Sequence, residues 1–517
     1  MSHSLPFDAR YSRLPTKSVY KASGYKGLSV VTSSWGRSVF DHAGHSAWGR
    51  RASRPKEARR RMSIQESIDR SPFSRRQVFI VGLCCVLNAV EGFDVFVMAL
   101  SAAGVTTEWG LTGSQLGTLL SATPVGMAIG AFFLAPLADR VGRRPFVIWC
   151  LVLCGVGMAL AVAAPAYGVL LVARLLTGLG VGGVSAGLPV ILAEYTPQRR
   201  RGTVIALYAA GPSFGGVIGG AASAYLLTEY GWRSPFVVGA VLTLAGIAAV
   251  VTSLPESIAF LLARRPRNAL AEANRLLARI RQPELSELPA ETTARESAGN
   301  IRAAVLGRRV ITKTLLIWIA YFCTQAVYFF ANSWTPKLLQ SSGASAGQAA
   351  QSGILLNVGG IIATLLFAAF ALKLTTRLLT TVVLFGAAGS LLLMNVVFGN
   401  LSGVLMVAIL LGLCLNASMA GIYAIVPDLY PALVRATAVG WAIGAGRIGA
   451  ILAPLLAGML LDRQWTAGNL LVLFAAPAVA AALAVLAVTR TRRPELPEAA
   501  QSVPVTVQAD GGSRPAS

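Results

Sequence analysis

Two carboxylates interrupt the first long apolar run of the chain. The run extends roughly over residues 78–105, and Glu91 and Asp94 lie within it, three positions apart. A carboxylate at membrane depth costs about 2.5–3.5 kcal/mol on the more lenient insertion scale, so such groups usually face a protein interior or a water-filled cavity. Residues at i and i+3 share a helical face, and like charges that close oppose simultaneous ionisation. The pair predicts a proton-handling site; the alternative is that either acid hydrogen-bonds a neighbouring helix.

An arginine lies inside another apolar run. Arg447 stands among Gly444, Gly446 and Gly449, and small residues of this kind let helices approach and leave room for a ligand. A guanidinium at this depth suits a substrate carboxylate, which it binds through two parallel hydrogen bonds. A structural salt bridge to an acid is the alternative.

Aromatic residues form a second set of candidate substrate contacts. Tyr321 and Tyr328 are seven residues apart, so they share one face of a helix. They could stack on a flat ligand and hydrogen-bond it through their hydroxyls. Tyr423 and Trp441 are further candidates. A lipid-facing or interfacial position is the alternative for all four.

The elements that must position these residues are membrane-spanning helices. The chain has 517 residues, of which 55% are hydrophobic and only 13% are charged, whereas soluble domains carry about 25% charged residues. Apolar runs of about 20 residues, the length that crosses a bilayer, recur along it. We therefore predict an all-α polytopic membrane protein with twelve spans, at residues 77–99, 113–136, 146–165, 168–193, 202–228, 234–254, 312–334, 348–372, 377–398, 402–426, 434–461 and 467–490.

The net charge of +23 follows membrane topology and does not predict nucleic-acid binding. Basic residues cluster after spans 2 and 4 and in the central loop, whereas the loops on the other side hold only scattered charges. Lys and Arg are enriched in cytoplasmic loops. Both termini and the central loop are therefore predicted to be cytoplasmic. We predict a multi-pass protein of the inner (plasma) membrane, embedded in the lipid bilayer and monomeric.

Metal, cofactor and enzyme chemistry have no basis in the sequence. All six cysteines fall in predicted spans without zinc-type or redox spacing. All three histidines precede residue 62, so the membrane body has no histidine relay. The chain also lacks a recognisable nucleophile–base set or phosphate loop. We predict no metal site, no cofactor and no enzymatic activity.

Composition divides the chain into five segments. The first holds 13 basic and 3 acidic residues without an apolar run, and we interpret it as a disordered basic extension, or as a mis-assigned start if translation begins at Met62. The others are two six-span halves, the polar cytoplasmic loop between them and a disordered cytoplasmic tail. The five boundaries are 1–61, 62–254, 255–311, 312–490 and 491–517.

A repeat relates the two halves. Five residues around the end of span 4 recur 234 positions later; they are Gly187, Glu194, Pro197, Arg201 and Thr203, which match Gly421, Asp428, Pro431, Arg435 and Thr437. Parallel six-span repeats imply a two-fold axis along the membrane normal, with the substrate site between the halves near the midplane.

The loop after span 2, residues 139–144, has the sequence DRVGRR. Together with the repeat and the span count, this loop makes the chain resemble the major facilitator superfamily, although an alanine replaces the usual first glycine. The resemblance implies two pseudo-symmetric six-helix halves and a gate that includes Asp139 and Arg143. Asp139 can pair with arginines or a helix N-terminus, whereas Arg140 and Arg144 belong either to this gate or only to the topology signal.

Further motifs are similar to those of the aromatic acid:proton symporter family within that superfamily. They include Glu91-Gly-Phe-Asp94, the Arg-x3-Gly-x-Gly pattern that begins at Arg174, and Tyr430-Pro, and the resemblance runs over about residues 62–490. It implies proton-coupled import of a small carboxylated aromatic, with Glu91 and Asp94 as the coupling pair. Arg174 would pair with a group on span 1 or 2 during proton movement, or touch substrate.

The same resemblance marks charged residues at the ends of spans. Glu194, Arg435 and Arg447 match charged positions of the family. For Glu194 and Arg435, and for Arg201 and Asp428 beside them in the repeat, gate salt bridges are the prediction.

Two other functions compete with import of an organic acid together with protons. Span 5 contains Gly211-Pro212-Ser-Phe-Gly215-Gly216, which resembles the core of an antiporter motif. This pattern would favour proton antiport that exports drugs or metabolites, but a bend and close helix packing explain it equally. A non-transporting receptor on the same fold is the other alternative.

Overall fold

The computed structural model describes part of the chain, namely residues 72–280, 282, 285, 288, 311–371, 373–430 and 432–490. The chain divides into two units, Met1–Arg61 and Met62–Ser517, and every described residue belongs to the second. The description excludes the side chains of residues 427, 428, 432–436, 489 and 490. The predicted extension 1–61, most of the central loop after residue 280 and the tail 491–517 lie outside the described residues and stay predictions.

The described residues form fourteen helices, apart from short turns. The first six are α1 Arg75–Trp109, α2 Gly113–Val141, α3 Arg143–Val162, α4 Tyr167–Tyr195, α5 Gln198–Tyr230 and α6 Ser234–Ser253. Two short helices follow, α7 Ile258–Arg264 and α8 Ala269–Arg279. The last six are α9 Ile311–Ser341, α10 Ala346–Phe370, α11 Thr376–Val396, α12 Leu401–Ile425, α13 Ala432–Asp462 and α14 Ala467–Arg490.

Local sequence explains where several helices begin and end. The side chains of Ser74, Thr112 and Ser345 each accept a hydrogen bond from the backbone N–H of the glutamine three residues later. The side chain of that glutamine in turn accepts a hydrogen bond from the backbone N–H of the capping residue, so α1, α2 and α10 have complete capping boxes. Gly110 ends α1 with φ 60°, and Gly142 separates α2 from α3 with φ 104°. Glycine adopts such angles without steric cost, so both turns can be tight.

The two sets of six helices pack in the same pattern. In the first half α1 packs on α5, α2 on α4, and α3 on both α4 and α6; in the second half α9 packs on α13, α10 on α12, and α11 on both α12 and α14. The halves meet where α2 crosses α13 and α5 crosses α10, and α1 also contacts α9. The repeat seen in the sequence is thus repeated in the helix packing.

The buried apolar residues show how the halves are arranged. We call the end of the bundle where α1 begins the basic end, and the end where α1 finishes the opposite end. Toward the opposite end one apolar cluster includes residues of both halves, such as Phe93 and Phe474. Toward the basic end each half has its own cluster, represented by Tyr195 and Tyr430. The halves therefore share a core at the opposite end and separate toward the basic end.

The prediction of an all-α protein with twelve membrane spans is confirmed, because twelve described helices are long and apolar enough to cross a bilayer. Two details differ. Span 1 was predicted to end near residue 99, but α1 continues to Trp109. The predicted central loop contains two short helices, α7 and α8, before residue 280.

Candidate functional site

The two carboxylates lie in the middle of α1, deep in the bundle. Glu91 and Asp94 are 4% and 2% exposed. Glu91 Oε1 and Asp94 Oδ1 are buried and have no hydrogen-bond partner among the described residues. An ionised carboxylate in such a position carries a large desolvation cost, and the neutral carboxyl carries a much smaller one. The position therefore suits a group that exchanges a proton.

Asp94 faces Arg174 of α4 inside the first half. The two charges interact, but no hydrogen bond between them occurs in the described structure. Arg174 is fully buried, and its guanidinium lies 4.6 Å from the centroid of the Phe236 ring. Its Nη2 donates to Thr177 Oγ1 at 3.2 Å, whereas its Nε and Nη1 have no partner in the described part of the chain. Arg174 thus keeps donors free for Asp94.

Glu91 faces Arg447 of α13, across the interface between the halves. The charges of Asp94 and Arg447 both act on the Glu91 carboxylate. Arg447 is partly buried and its Nη1 contacts Met127 Sδ of α2 at 3.7 Å. Among the described residues it forms no ion pair. Its guanidinium therefore has unused donors next to an acid of the other half.

Tyr208 lies near Glu91 and Tyr321 lies near Arg447, and Tyr423 lies near both of these tyrosines. Tyr321 of α9 is 1% exposed, and its ring meets Tyr423 of α12 edge to face, with centroids 5.5 Å apart. Tyr321 also interacts electrostatically with Arg447, and Tyr208 of α5 with both Glu91 and Tyr423. The buried hydroxyl of Tyr208 has no hydrogen-bond partner within the described residues. We call these five residues, contributed by five helices of both halves, the central site.

The other two predicted aromatic contacts take different positions. Tyr328 packs against Phe329 with ring centroids 5.7 Å apart and interacts with Tyr423, so it adjoins the central site. Trp441 instead packs against Trp318, with centroids 6.3 Å apart, beside the apolar cluster of the second half. The structure therefore places Tyr328 beside Tyr423, and it packs Trp441 against the apolar cluster that contains Tyr321.

Tyr208 is a member of the central site that the sequence did not single out. Its carbonyl oxygen accepts a hydrogen bond from Asn88 Nδ2 of α1 at 2.5 Å, which ties α5 to the helix that carries the acids. The available signal was a tyrosine and an asparagine inside two apolar runs, but nothing in their spacing indicated that the two helices touch.

The predicted gate residues lie together at the basic end of the first half. Asp139 pairs with Arg143 at 2.9 Å while its side chain stays 67% exposed. The two residues line a cavity of about 460 Å³ between α2, α3 and α4. Arg140 is exposed, and Arg144 Nη2 donates to the Val251 carbonyl oxygen at 2.5 Å.

A second acid, Glu256, organises this end of the molecule. Its Oε1 accepts hydrogen bonds from the backbone N–H groups of Arg143 at 2.7 Å and Arg144 at 3.2 Å. A carboxylate at a helix N-terminus is stabilised by the unpaired N–H groups and the helix dipole, so Glu256, rather than Asp139, caps α3. The sequence suggested no role for this residue.

The remaining gate predictions have mixed outcomes. Glu194 accepts hydrogen bonds from Ser257 Oγ at 2.8 and 2.7 Å through its two oxygens, and Arg201 Nη2 donates to the Thr196 carbonyl at 3.4 Å. These bonds lie within the first half. The side chains of Asp428 and Arg435 lie outside the described residues, so their pairing stays a prediction.

Two polar networks lie at the opposite end. Glu108 accepts hydrogen bonds from Trp232 Nε1 at 2.5 Å and from Arg233 Nη1 at 2.9 and 3.1 Å, which joins the end of α1 to the turn between α5 and α6. Asp462, at the end of α13, accepts from the backbone N–H groups of Gly113 at 2.6 Å and Ser114 at 2.8 Å, and from the Ser114 hydroxyl. Asp462 thereby caps α2 of the other half.

The glycine-rich part of span 5 is used for packing. Side chains at Gly215 and Gly216 would collide with Ala89 of α1 and Asn357 of α10. This contact supports the packing interpretation of the Gly211-Pro212 stretch. Among the described residues no group of three or more His, Cys, Asp or Glu side chains could hold a metal ion.

Known proteins resemble the chain over most of its length. The family model described as Major Facilitator Superfamily matches residues 83–399 and 374–509. The 4-hydroxybenzoate transporter PcaK of Pseudomonas putida is 31% identical over 436 residues, with 82% of this chain and 95% of the relative covered. The gallate transporter of Pseudomonas putida is 31% identical, with 82% and 94% covered. The 3-(3-hydroxy-phenyl)propionate transporter of Escherichia coli is 30% identical, with 76% and 89% covered.

The fold also matches solved structures. The inward open conformation of the xylose transporter XylE from E. coli has a TM-score of 0.64 at 16% identity, with 81% of this chain and 98% of that chain covered. At this identity the likeness shows the fold alone. The family match, the relatives and the twelve-span fold agree, and the chain therefore belongs to the Major Facilitator Superfamily, as a multi-pass membrane transporter and not an enzyme.

Proposed function

We propose that the chain imports a small aromatic carboxylate together with protons, by alternating access. The observation that carries this proposal is the central site, in which a guanidinium with free donors, Arg447, stands beside a buried carboxylate, Glu91, and aromatic side chains from both halves. The relatives named for 4-hydroxybenzoate, gallate and 3-(3-hydroxy-phenyl)propionate support an aromatic acid as the cargo.

The substrate side of the proposal uses charge and ring geometry. Arg447 binds the substrate carboxylate through charge-assisted hydrogen bonds, which are shorter and stronger than neutral ones. Tyr321 and Tyr423 already meet edge to face, an arrangement that aromatic rings favour. A single substrate ring extends that contact, and Tyr328 borders the same space.

The proton side uses the two acids of α1. Asp94 and Arg174 form a buried pair inside one half, and Glu91 adds a second buried carboxyl beside the substrate guanidinium. Protonation removes the desolvation cost of an unpaired carboxylate. A proton on Glu91 also leaves the Arg447 charge free for the incoming anion, so binding of the two is mutually favourable.

We assign the orientation of the protein in the membrane, and its conformational state, from charge and from the separation of the halves. Basic loops face the cytoplasm, so the basic end is the cytoplasmic end and both termini lie on that side of the plasma membrane. The shared core at the opposite end then makes this an inward-facing state. When the cytoplasmic end closes, a charged surface of the first half meets Asp428 and Arg435 of the second half. This surface includes Asp139, Arg140, Arg143, Arg144, Glu194 and Arg201. One chain forms the transport unit.

The proposal is tested with purified protein in liposomes under an imposed pH gradient, acidic outside. The panel of labelled acids is 4-hydroxybenzoate, gallate, gentisate and 3-(3-hydroxyphenyl)propionate. We expect the wild type to accumulate at least one acid and to lose accumulation with a protonophore. Asp94→Asn should abolish accumulation but keep exchange of internal for external substrate, and Arg447→Gln should abolish both.

The matched control is Glu229→Gln, an acid-to-amide change at an exposed position at the end of α5. It should transport like the wild type. Normal accumulation by Asp94→Asn would refute the coupling role, and liposomes that load substrate only when acidified inside would favour the antiport alternative. Failure of the wild type on the whole panel would remove aromatic acids as the cargo.

A further inference from the structure

A second cavity lies at the opposite end, between the two halves. Its volume is about 360 Å³, within the range of sites that hold small organic ligands. The end of α1, the turn between α5 and α6, the end of α9 and the start of α10 form its walls. Most of these walls are apolar, with Leu100, Leu227 and Ala349 among the lining residues. The cavity is separate from the central site, since none of the five central-site residues lines it.

The charges in this cavity leave one cation without a partner. Lys337 of α9 and Glu108 of α1 both line it. Glu108 is already held by Arg233, through two hydrogen bonds at 2.9 and 3.1 Å, and by Trp232 Nε1. Lys337 is partly buried and makes no hydrogen bond or ion pair with any described residue. Because Arg233, outside the lining, neutralises Glu108, Lys337 is the charged lining residue that has no partner among the described residues.

The wall of this cavity includes a rigid, largely buried indole, that of Trp232. The Trp232 indole lines the cavity, and three contacts fix its orientation: the bond to Glu108, the Arg233 guanidinium 4.1 Å from its ring centroid, and Trp109 edge to face at 5.2 Å. A rigid indole and short aliphatic side chains bind a flat apolar body, whereas a partly desolvated ammonium binds an anion.

We propose that this cavity is an outer vestibule that binds a small aromatic acid, with the carboxylate on Lys337 and the ring against the Trp232 wall, before the acid reaches the central site. The inference rests on the proposed import of aromatic acids and adds a second binding site to it. The vestibule raises the local concentration of the anion at the closed end, and opening of that end releases it toward Arg447.

Uptake kinetics test the role of Lys337. The substrate is whichever acid of the panel the wild type takes up fastest. Lys337→Met should raise KM about tenfold and leave Vmax within twofold, because a charge-assisted hydrogen bond to the carboxylate is lost. Lys337→Arg should keep KM within about threefold. The control is Lys373→Gln, a loss of charge at an exposed lysine between α10 and α11.

Site protection tests whether the vestibule is separate from the central site. A cysteine at Ala346, an exposed position that lines the cavity, is labelled in detergent with a polyethylene glycol maleimide. The transported aromatic acid should slow labelling of this cysteine severalfold. It should do so also when the protein carries Arg447→Gln, whereas Lys337→Met should remove the protection. Sodium sulfate at equal concentration should protect much less, since it lacks the ring.

The outcomes separate the two proposals. If the wild type takes up none of the panel acids, the proposed function fails. If uptake is normal but Lys337→Met leaves KM unchanged, or the acid gives no protection at Ala346→Cys, the vestibule alone is overturned. Equal protection by sulfate would overturn the assignment to aromatic acids, and loss of protection with Arg447→Gln would assign the binding to the central site.

Discussion

At the scale of single residues, the two acids of α1 differ in the partner that each one faces. Asp94 and Arg174 belong to the same half, so a rocking motion of rigid halves leaves their separation unchanged. Glu91 and Arg447 belong to different halves, and the same motion changes the distance between them. In the proposed mechanism conformation therefore acts directly on Glu91, and Asp94 is a proton site of nearly constant surroundings. Residue type does not indicate this distinction, because the choice of partner depends on how α4 and α13 pack.

Tyr208 carries a residue-scale prediction. Its buried hydroxyl is unpaired among the described residues and stands near Glu91 and Tyr423, so it is the group of the first half best placed to bind a ring hydroxyl. Tyr208→Phe should lower kcat/KM about tenfold for 4-hydroxybenzoate, the loss expected for one hydrogen bond of about 1–1.5 kcal/mol, and leave benzoate within twofold. Tyr225→Phe, at an exposed position of the same helix, is the control. An equal loss for both acids would contradict the assignment.

At the scale of helices, length and hydropathy predict the elements well because the bilayer sets both. The error at the end of α1 has a local cause. Thr106, Thr107 and Glu108 lower the hydropathy after residue 105, but the threonine hydroxyls donate to the carbonyl oxygens of Ala102 and Ala103 at 2.7 and 3.0 Å and the helix continues to Gly110. The roles of Tyr208 and Glu256 were not predictable, since each acts through a helix more than 50 residues away along the chain.

Close packing of α2 on α4 carries the helix-scale prediction. A Cβ at Gly182 would collide with the backbone of Met127, the residue that contacts Arg447. Gly182→Ala should therefore destabilise the protein by roughly 1–3 kcal/mol, the usual cost of overpacking, and lower uptake by displacing Met127. Gly168→Ala, on the same helix but with no atom within 4 Å of the added Cβ, should change neither. Thermal unfolding in detergent measures the difference, and equal midpoints for the two variants would show that α2 and α4 are not in contact at this position.

At the scale of the whole molecule, the two halves that a repeat of five residues predicts pack against each other at one end, which is closed. The sequence indicated a site between the halves. Which end of the molecule is closed depends on contacts between the halves that no local sequence pattern encodes. Asp462 is the clearest case. Its position in the sequence predicts no role, and in the structure it joins the end of α13 to the first N–H groups of α2. The cap combines hydrogen bonds with the helix dipole and acts between the halves.

Loss of this cap should shift the balance between the two open states. A carboxylate at an exposed helix N-terminus contributes about 1 kcal/mol, so Asp462→Ala should favour opening of the opposite end about fivefold, since 1.4 kcal/mol corresponds to a factor of ten. Spin labels at exposed Tyr230 and Ser342, one in each half, measure this opening in a protein without native cysteines. In Asp462→Ala the longer distance between the two labels should gain population. Arg463→Ala, the neighbouring exposed change, should leave the distribution as in the wild type. Because Asn keeps one acceptor oxygen but not the charge, the Asp462→Asn distribution should fall between those of the wild type and Asp462→Ala. An Asp462→Ala distribution identical to that of the wild type would show that the shared apolar core alone holds this end closed.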